Sequence, residues 1–234
     1  MRILGVVPAR MGSKGIKAKN LKRLAGRPLI DYTFRLVASL KILDKIYLTT
    51  DDEKIIKLAS QYDQIDVPFI RPKNISSDET PMHEVVSHLI TYCDKINEQY
   101  DYIALFQPTT PFRKRQEIEE MINYSIDNNI DSQFAVTSVW HHPSEYITFN
   151  KNRLNYILDP KTSKRRQDFE KVYFITGALY IVKSSFFRTT KAFVNDESKP
   201  YSLSQETMID IDTPFHFKLA EAYASHVKNN EQNN

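Results

Sequence analysis

A loop near the start of the chain gathers residues that could hold a phosphate group. Within VVPARMGSKGIKAKN (residues 6–20), it carries two of the five glycines of the chain and four cations: Gly12, Gly15, Arg10, Lys14, Lys17 and Lys19. Glycines let backbone N–H groups approach an anion closely, and cationic side chains neutralise its oxygens. The spacing matches neither G-x-x-x-x-G-K-[ST] nor G-x-G-x-x-G. The loop predicts a triphosphate site, and a solvated basic turn is the alternative.

A second pair of chemically useful residues lies near the end of the chain, where Asp210 and Asp212 flank Ile211. On a strand, residues two apart project to the same face, so both carboxylates would point together. Mg²⁺ commonly relieves the repulsion between such carboxylates when they also face a nucleotide phosphate. The alternative is that Asp212 caps the helix that begins at Thr213-Pro214.

The elements that must position these residues alternate between strands and helices. Apolar runs predict strands, and segments with helical periodicity lie between them. The strands are at 2–8, 45–50, 66–70, 102–107, 133–140 and 179–187, and the helices are at 28–40, 51–62, 81–96, 115–126 and 214–228. This order predicts a doubly wound, mostly parallel α/β sheet. Ligands of such sheets bind beyond the carboxyl ends of the strands, where the loop after the first strand lies.

The alternation breaks between residues 141 and 172, which hold two short strand-like pieces around Asn150 and Asn152 and the basic run Lys161 to Arg166. This segment predicts a hairpin or arm off the main sheet. We therefore expect one catalytic α/β domain, 1–140 and 173–234, and an arm over 141–172. The arm is rich in large apolar side chains: Tyr146, Ile147, Phe149, Leu154, Tyr156 and Ile157. Because a free hairpin should not expose so much apolar surface, we expect a homodimer.

Composition narrows the class of protein. The chain has 234 residues, of which 41% are hydrophobic and 26% charged, as expected for a folded globular protein. A net charge of +3 is too small to indicate a nucleic-acid partner. The single cysteine cannot form an internal disulfide, and no apolar run is long enough to span a membrane. We expect a cytoplasmic protein.

Six ordered segments resemble one known family. "PARMGSKGIKAKNLKRLAGRPLI", "LTTDDEKI", "FIRPKNISSDET", "LFQPTTPFR", "RRQDFEKVYFITGALYI" and "IDIDTPFHFKLAEAY" are similar to the motifs of the acylneuraminate cytidylyltransferases, the CMP-sialic acid synthetases. The resemblance covers nearly the whole chain. It implies the nucleotide-diphospho-sugar transferase fold and a reaction in which CTP and a nonulosonic acid give a CMP-sugar and pyrophosphate.

The resemblance also implies roles for individual residues. The nucleotide would contact Arg10, Gly12, Ser13, Lys14, Lys19, Asn20 and, near the cytosine, Arg71. The sugar would contact Gln107, Arg166 and Tyr180, and Mg²⁺ or Mn²⁺ would be held by Asp210 and Asp212. Arg10, Lys19 and the two aspartates would act in catalysis. The arm would overhang the site of the partner subunit.

Some of these assignments have structural alternatives. Gln107 could simply end a strand, Arg166 could belong to a solvated basic turn, and Tyr180 could be a core residue with its hydroxyl paired. Thr176 and Met11 depart from the residues common in the family, Asn and Gly respectively.

Two further functions stay open at this stage. One is cytidylyl transfer to a deoxyoctulosonate, and the other is a catalytically idle nucleotide-binding module. The "RRQDF" and "IDID" motifs favour the nonulosonic acid over the deoxyoctulosonate.

Overall fold

The computed structural model describes residues 1–150, 153–158 and 170–232. Its strands are β1 (Ile3–Ala9), β2 (Arg23–Leu24), β3 (Arg27–Pro28), β4 (Lys45–Thr50), β5 (Ile65–Asp66), β6 (Tyr102–Leu105), β7 (Ser132–Ser138), β8 (Ile147–Asn150), β9 (Arg153–Tyr156), β10 (Tyr173–Lys183) and β11 (Lys199–Ser202). Its α-helices are α1 (Leu29–Ser39), α2 (Glu53–Ala59), α3 (Met82–Lys95), α4 (Arg115–Asp127), α5 (Ser184–Thr190) and α6 (Pro214–Gln232).

Seven strands form the central sheet in the order β11-β7-β10-β6-β1-β4-β5. All neighbouring pairs are parallel except those of β10, which runs antiparallel to both β6 and β7. All seven residues of β1 are buried, as expected for a central strand of a parallel sheet that helices cover on both faces. The prediction of a doubly wound, mostly parallel α/β sheet is confirmed.

The helices follow the periodicity of the sequence. In α1 the apolar side chains at Ile30, Phe34 and Val37 are fully buried, because residues three and four apart lie on one helical face. They belong to the larger core cluster, while Val86, Leu89 and other residues of α3 belong to a second cluster on the sheet. A third cluster joins the loop after β1 to the last helix through Ile16 and Phe217. The loop at the site is therefore anchored to the core at Ile16.

Several predicted boundaries are wrong. The strand expected over 179–187 begins at Tyr173 and ends at Lys183, and the residues after it form α5. A short apolar run does not by itself distinguish a strand from a buried helix, and this ambiguity explains the error. Of the strand expected over 66–70, only Asp66 is in β5, and edge strand β11 was not expected. Helix α6 continues past residue 228 to Gln232.

The aspartate pair does not lie on a strand. Residues Gln205–Met208 form a 3-10 helix, and the following segment pairs with no strand of the sheet. The alternation of burial that we expected is nevertheless present, since Ile209 and Ile211 are buried while Asp212 is exposed. A single backbone hydrogen bond, from Ile211 N–H to the Thr109 carbonyl at 2.9 Å, attaches this segment to the loop after β6.

The segment that interrupts the alternation contains the expected hairpin. Strands β8 and β9 pair only with each other, in a two-stranded antiparallel sheet apart from the central one. All eight of their residues are exposed. The basic run from Lys161 to Arg166 lies outside the described residues.

Candidate active site

The loop after β1 owes its shape to close contacts with distant segments. A Cβ atom on Gly15 would lie 2.1 Å from the Asp212 carbonyl oxygen, so only glycine lets the loop approach the aspartate segment this closely. The Met11 N–H donates a hydrogen bond to Asp51 Oδ1 at 2.7 Å, and Asn20 Nδ2 donates one to the Arg10 carbonyl at 3.2 Å. The loop is therefore held at both of its ends.

A cavity of about 240 Å³ opens at the carboxyl ends of β1, β4 and β6. This is the edge where ligands of parallel sheets bind. Nine of the predicted site residues line it, together with Pro8, Met82, Pro108 and Thr109. These nine are Arg10, Gly12, Ser13, Lys19, Asn20, Arg71, Gln107, Asp210 and Asp212.

Two cations of the loop that line this cavity are each paired with a carboxylate. Arg10 forms an ion pair with Asp78, and both side chains are partly exposed to solvent. Lys19 Nζ donates to Asp212 Oδ1 at 2.9 Å and to the Ile211 carbonyl at 2.8 Å. A triphosphate carries more negative charge than a single carboxylate and could take over these donors. Arg10 and Lys19 could therefore exchange their carboxylate partners for the oxygens of a bound phosphate.

Arg71 lies deeper than the loop cations, with only 4% of its surface exposed. Its guanidinium donates to the Thr49 hydroxyl, from Nε at 3.1 Å, and to the Thr49 carbonyl. Burial lowers the pKa of Arg71 to about 10, which still leaves it protonated at neutral pH. A buried cation held by backbone and hydroxyl groups can orient a neutral polar ligand as well as an anion.

Asp210 has the features of a metal ligand. Its Oδ1 atom is buried and accepts no hydrogen bond within the described part of the chain. Burial raises the pKa of Asp210, and the negative charge of Asp212 adds to this effect, while Thr109 and Lys19 oppose it. An unpaired buried carboxylate oxygen beside a second carboxylate suits a hard cation such as Mg²⁺.

The two aspartates would supply only part of the coordination of a metal. Among the described residues there is no cluster of three or more His, Cys, Asp or Glu side chains that could hold a metal ion. Mg²⁺ is usually bound through one or two carboxylates, with water and substrate phosphates completing the octahedron. The donor set therefore fits magnesium that arrives with a nucleotide.

The capping alternative for Asp212 is not supported by the geometry of α6. The side-chain oxygen of Thr213 accepts a hydrogen bond from the His216 N–H at 3.2 Å. Thr213 therefore satisfies a free donor of the first helical turn, while the Asp212 carboxylate turns to Lys19.

The remaining predicted site residues are Lys14, Tyr180 and Arg166. Lys14 is exposed and does not line the cavity, and Arg166 falls outside the described residues. Tyr180 is half-buried on β10 and packs edge-on against Phe193, with ring centroids 6.0 Å apart. Burial raises the pKa of Tyr180, and the negative charge of Asp210 contributes to this effect.

Thr176 and Met11, which differ from the residues common in the family, lie in different environments. Thr176 is fully buried, and its hydroxyl accepts a hydrogen bond from the Ala178 N–H at 3.4 Å. Met11 is 59% exposed, and its contact with Asp51 is made by the backbone. The Met11 side chain is therefore not needed for the shape of the loop.

Several residues of the site were not anticipated. Asp51 and Asp78 occur within "LTTDDEKI" and "FIRPKNISSDET", but nothing in their local spacing shows that they reach the loop. Arg113 was also missed, although it donates hydrogen bonds to the Gln107 and Ala178 carbonyls. The available signal in the sequence was that both acids, Asp51 and Asp78, lie in segments that follow predicted strands.

A larger cavity, of about 620 Å³, lies at the opposite edge of the sheet. It is bordered by the first residues of β7 and β11, Ser132 and Lys199. One of the three acidic residues that line it, Asp131, is paired with Lys183 at 2.7 Å. Because ligands of parallel sheets bind at the carboxyl ends of the strands, the smaller cavity is the candidate active site.

Comparison with known proteins identifies the family. The family model described as cytidylyltransferase matches residues 4–233, which is almost the whole chain. The chain belongs to the cytidylyltransferases. This cytidylyltransferase is 33% identical over 220 residues to the pseudaminic acid cytidylyltransferase of Campylobacter jejuni, and the match covers 91% of this chain and 92% of that protein. The predicted family and the predicted class of enzyme, a nucleotidyltransferase, are confirmed.

Two further relatives carry names of related acids. The CMP-N,N'-diacetyllegionaminic acid synthase of Legionella pneumophila is 30% identical to this cytidylyltransferase, over 94% of this chain and 95% of that protein. The N-acylneuraminate cytidylyltransferase of Escherichia coli is 29% identical over 94% of this chain, which corresponds to 51% of that longer protein.

Solved structures share the fold at low sequence identity. A CMP:2-keto-3-deoxy-manno-octonic acid synthetase complexed with CTP has a TM-score of 0.68 and 12% identity, over 97% of this chain and 99% of that one. A 4-diphosphocytidyl-2C-methyl-D-erythritol synthase from Anaerococcus prevotii has a TM-score of 0.65 and 16% identity, over 96% of each chain. At these identities the likeness shows the nucleotidyltransferase fold.

Proposed function

We propose that this cytidylyltransferase joins CTP to a nonulosonic acid, giving the CMP-sugar and pyrophosphate. The observation that carries the proposal is the cavity itself, which gathers the loop cations, Arg71, Gln107 and the aspartate pair at one edge of the sheet. The names of the three sequence relatives supply the class of acceptor, since pseudaminic, legionaminic and acylneuraminic acids are all nonulosonic acids.

The nucleotide would lie along the loop after β1. Arg10 and Lys19 would release their carboxylate partners and oppose the phosphate oxygens, while Gly12, Ser13 and Asn20 line the same wall. Lys14 would approach the phosphates from the exposed side. Arg71 would meet the cytosine, whose carbonyl can accept a hydrogen bond from a buried guanidinium.

Reaction requires the anomeric hydroxyl of the acid to attack the α-phosphorus as pyrophosphate leaves. Fixed cations contribute by neutralising the charge that grows on the phosphates, and the cavity contributes by holding nucleophile and phosphorus in line. Mg²⁺ or Mn²⁺ held by Asp210 and Asp212 would supply further neutralisation at the phosphates. Lys19 would then separate from Asp212, so that Lys19 contacts the phosphates and Asp212 contacts the metal ion.

The acceptor would occupy the side of the cavity formed by Gln107. A carboxamide offers both a donor and an acceptor, which suits the hydroxyl and acyl groups of a sugar acid. We assign Tyr180 and Arg166 to the same substrate, as the family resemblance implies.

We further propose that residues 141–172 form a dimerisation arm on the catalytic domain of residues 1–140 and 173–234. Large apolar side chains are exposed on the hairpin and on the first residues of β10. They include Phe149 (75% exposed), Tyr146, Ile147, Leu154, Tyr156, Ile157, Tyr173 and Ile175. Large apolar side chains that are exposed together in one segment often mark a protein interface. An isologous dimer would bury it.

The cellular site of the reaction follows from its substrate. CTP is available in the cytoplasm, and we place the enzyme there. No helix among the described residues has the length and apolarity needed to cross a membrane.

The proposal is tested by measuring pyrophosphate release from CTP with a panel of acceptors. We expect turnover with at least one of pseudaminic, legionaminic and N-acetylneuraminic acids, and little with a deoxyoctulosonate. ATP, GTP and UTP are the matched controls for nucleotide choice. Preferred turnover of the deoxyoctulosonate would contradict the acceptor class, and equal turnover of ATP would contradict the role of Arg71. Lack of turnover with every acceptor would indicate an idle nucleotide-binding module.

A further inference from the structure

Strand β10 becomes irregular where it borders the proposed acceptor side of the cavity. Its register against β7 shifts after Ile175. In this stretch the Gly177 carbonyl accepts a hydrogen bond from the Gln107 N–H at 3.2 Å. Gln107, whose side chain lines the cavity, therefore lies directly against Gly177.

There is no room for a side chain at Gly177. A Cβ atom there would lie 2.3 Å from Gln107 Oε1, 3.2 Å from Gln107 Cβ and 3.1 Å from Thr110 Oγ1. The φ angle of Gly177 lies outside the left-handed region, so other residues could adopt its backbone conformation. Space for the Gln107 carboxamide, and not backbone freedom, is what requires glycine at this position.

Arg113 keeps the two backbones from moving apart. Its Nη1 atom donates to the Gln107 carbonyl at 3.3 Å and to the Ala178 carbonyl at 3.2 Å, and Nη2 donates to the Thr33 hydroxyl. One guanidinium thus spans the loop after β6, the irregular part of β10 and α1. A substituent at Gly177 would therefore displace the end of the Gln107 side chain before it displaced the backbone.

We propose that Gly177 is a positioning residue for the acceptor. Because Gly177 has no side chain, the Gln107 carboxamide has the space to keep its position in the cavity. The proposal rests on the proposed function, in which Gln107 contacts the sugar acid. Gly177 itself touches no substrate and acts through Gln107.

Steady-state kinetics of Gly177→Ala test this role. We expect kcat/KM for the nonulosonic acid to fall about tenfold, the effect of losing one hydrogen bond to a polar or charged substrate group. The KM for CTP should stay within about twofold of wild type, because the nucleotide loop is untouched. An unchanged kcat/KM for the acid, or an equal loss for both substrates, would overturn the proposal.

A double-mutant cycle separates positioning from structural damage. In a Gln107→Ala background the clash with Oε1 is gone. The two remaining contacts, 3.1 Å to Thr110 Oγ1 and 3.2 Å to Gln107 Cβ, need shifts of only a few tenths of an ångström. Gly177→Ala should then change kcat/KM for the acid by less than about twofold. If the full effect persisted in this background, Gly177 would act on the fold and not through Gln107.

A structural readout distinguishes failure of this proposal from failure of the proposed function. In a crystal structure of ligand-free Gly177→Ala, we expect the Gln107 carboxamide to have turned away from the added methyl group while the backbone hydrogen bond from the Gln107 N–H remains. A carboxamide left in place would refute the positioning role whatever the substrate. A turned carboxamide in an enzyme that accepts no nonulosonic acid would refute only the acceptor class.

Discussion

Neutralising Asp210 should separate activity from stability. In Asp210→Asn, an amide replaces a carboxylate whose Oδ1 atom is buried without a hydrogen bond among the described residues. Burial raises the pKa of Asp210 in the folded protein above 3.8, its ordinary value in the unfolded chain. Ionisation of Asp210 therefore lowers the stability of the folded protein once pH rises above 3.8. At neutral pH the ligand-free variant should therefore unfold at the same temperature as wild type or a higher one.

Turnover should respond in the opposite way. Losing one anionic ligand of a metal at the phosphates costs on the order of 3 kcal/mol of transition-state stabilisation, or about a hundredfold in kcat. Wild type should also gain about 2.7 kcal/mol from Mg²⁺ and CTP at a hundred times their dissociation constant, which raises Tm by roughly 5 to 10 °C. We expect the variant to lose most of this gain.

The assay pairs CTP turnover with thermal unfolding across a magnesium titration. Asp196→Asn, at an exposed acid bordering the cavity at the opposite edge of the sheet, is the matched control and should behave as wild type. In Asp212→Asn the lost ion pair with Lys19 involves a solvent-exposed carboxylate and should cost less than about 1 kcal/mol of stability. Wild-type turnover and an unaltered magnesium response in both Asp210→Asn and Asp212→Asn would refute the metal site.

Three further changes test other parts of the site and assembly. Asp78→Asn should lower the KM for CTP about threefold, because Arg10 no longer has a carboxylate that competes with phosphate. Phe149→Asp should convert a dimer of 27.3 kDa chains to monomers in light scattering, since its 75% exposed ring would lie in the interface. Glu98→Gln should flatten the decline of Tm between about pH 5 and 3. The Tyr100 hydroxyl bonds to Glu98 at 2.5 Å and lowers its pKa below 4.5, so this stability is present above pH 4.5 and is lost as pH falls.

Each of these three predictions has an outcome that would contradict it. A higher KM for CTP in Asp78→Asn would mean that Asp78 orients Arg10 for the nucleotide. A monomeric wild type at micromolar concentration would remove the dimer, and Ile96→Asp, at an exposed position at the end of α3, controls for added surface charge. An unchanged pH profile in Glu98→Gln would show that Glu98 titrates alike in the folded and unfolded chain.

The sequence predicted the sheet well where a strand is continuously buried or a helix is amphipathic. Strand β1 and helix α1 were found because a buried run and a 3.6-residue periodicity are local signals. Edge strand β11 has the sequence KPYS, with a proline and no strong alternation, and its pairing with β7 depends on distant residues. The segment of Asp210 was expected to be a strand on which residues two apart share a face, but no strand of the described chain pairs with it.

The chemistry of the site was predictable to a similar extent. The cations and glycines of the loop are close in sequence, and their spacing indicates an anion. The carboxylates that hold the cations come from other segments, so the contact of Arg10 with Asp78 could not be deduced from spacing. The clash that keeps Gly177 a glycine also depends on tertiary contact, between β10 and the loop after β6.

The most direct test follows the α-phosphorus of CTP. With CTP labelled at that atom, Mg²⁺ and a nonulosonic acid, the label should move into a CMP-sugar as one equivalent of pyrophosphate appears. Omitting the acid should leave the label in CTP. Transfer of the label to free CMP at the same rate with and without the acid would show attack by water, and would contradict cytidylyl transfer to the sugar.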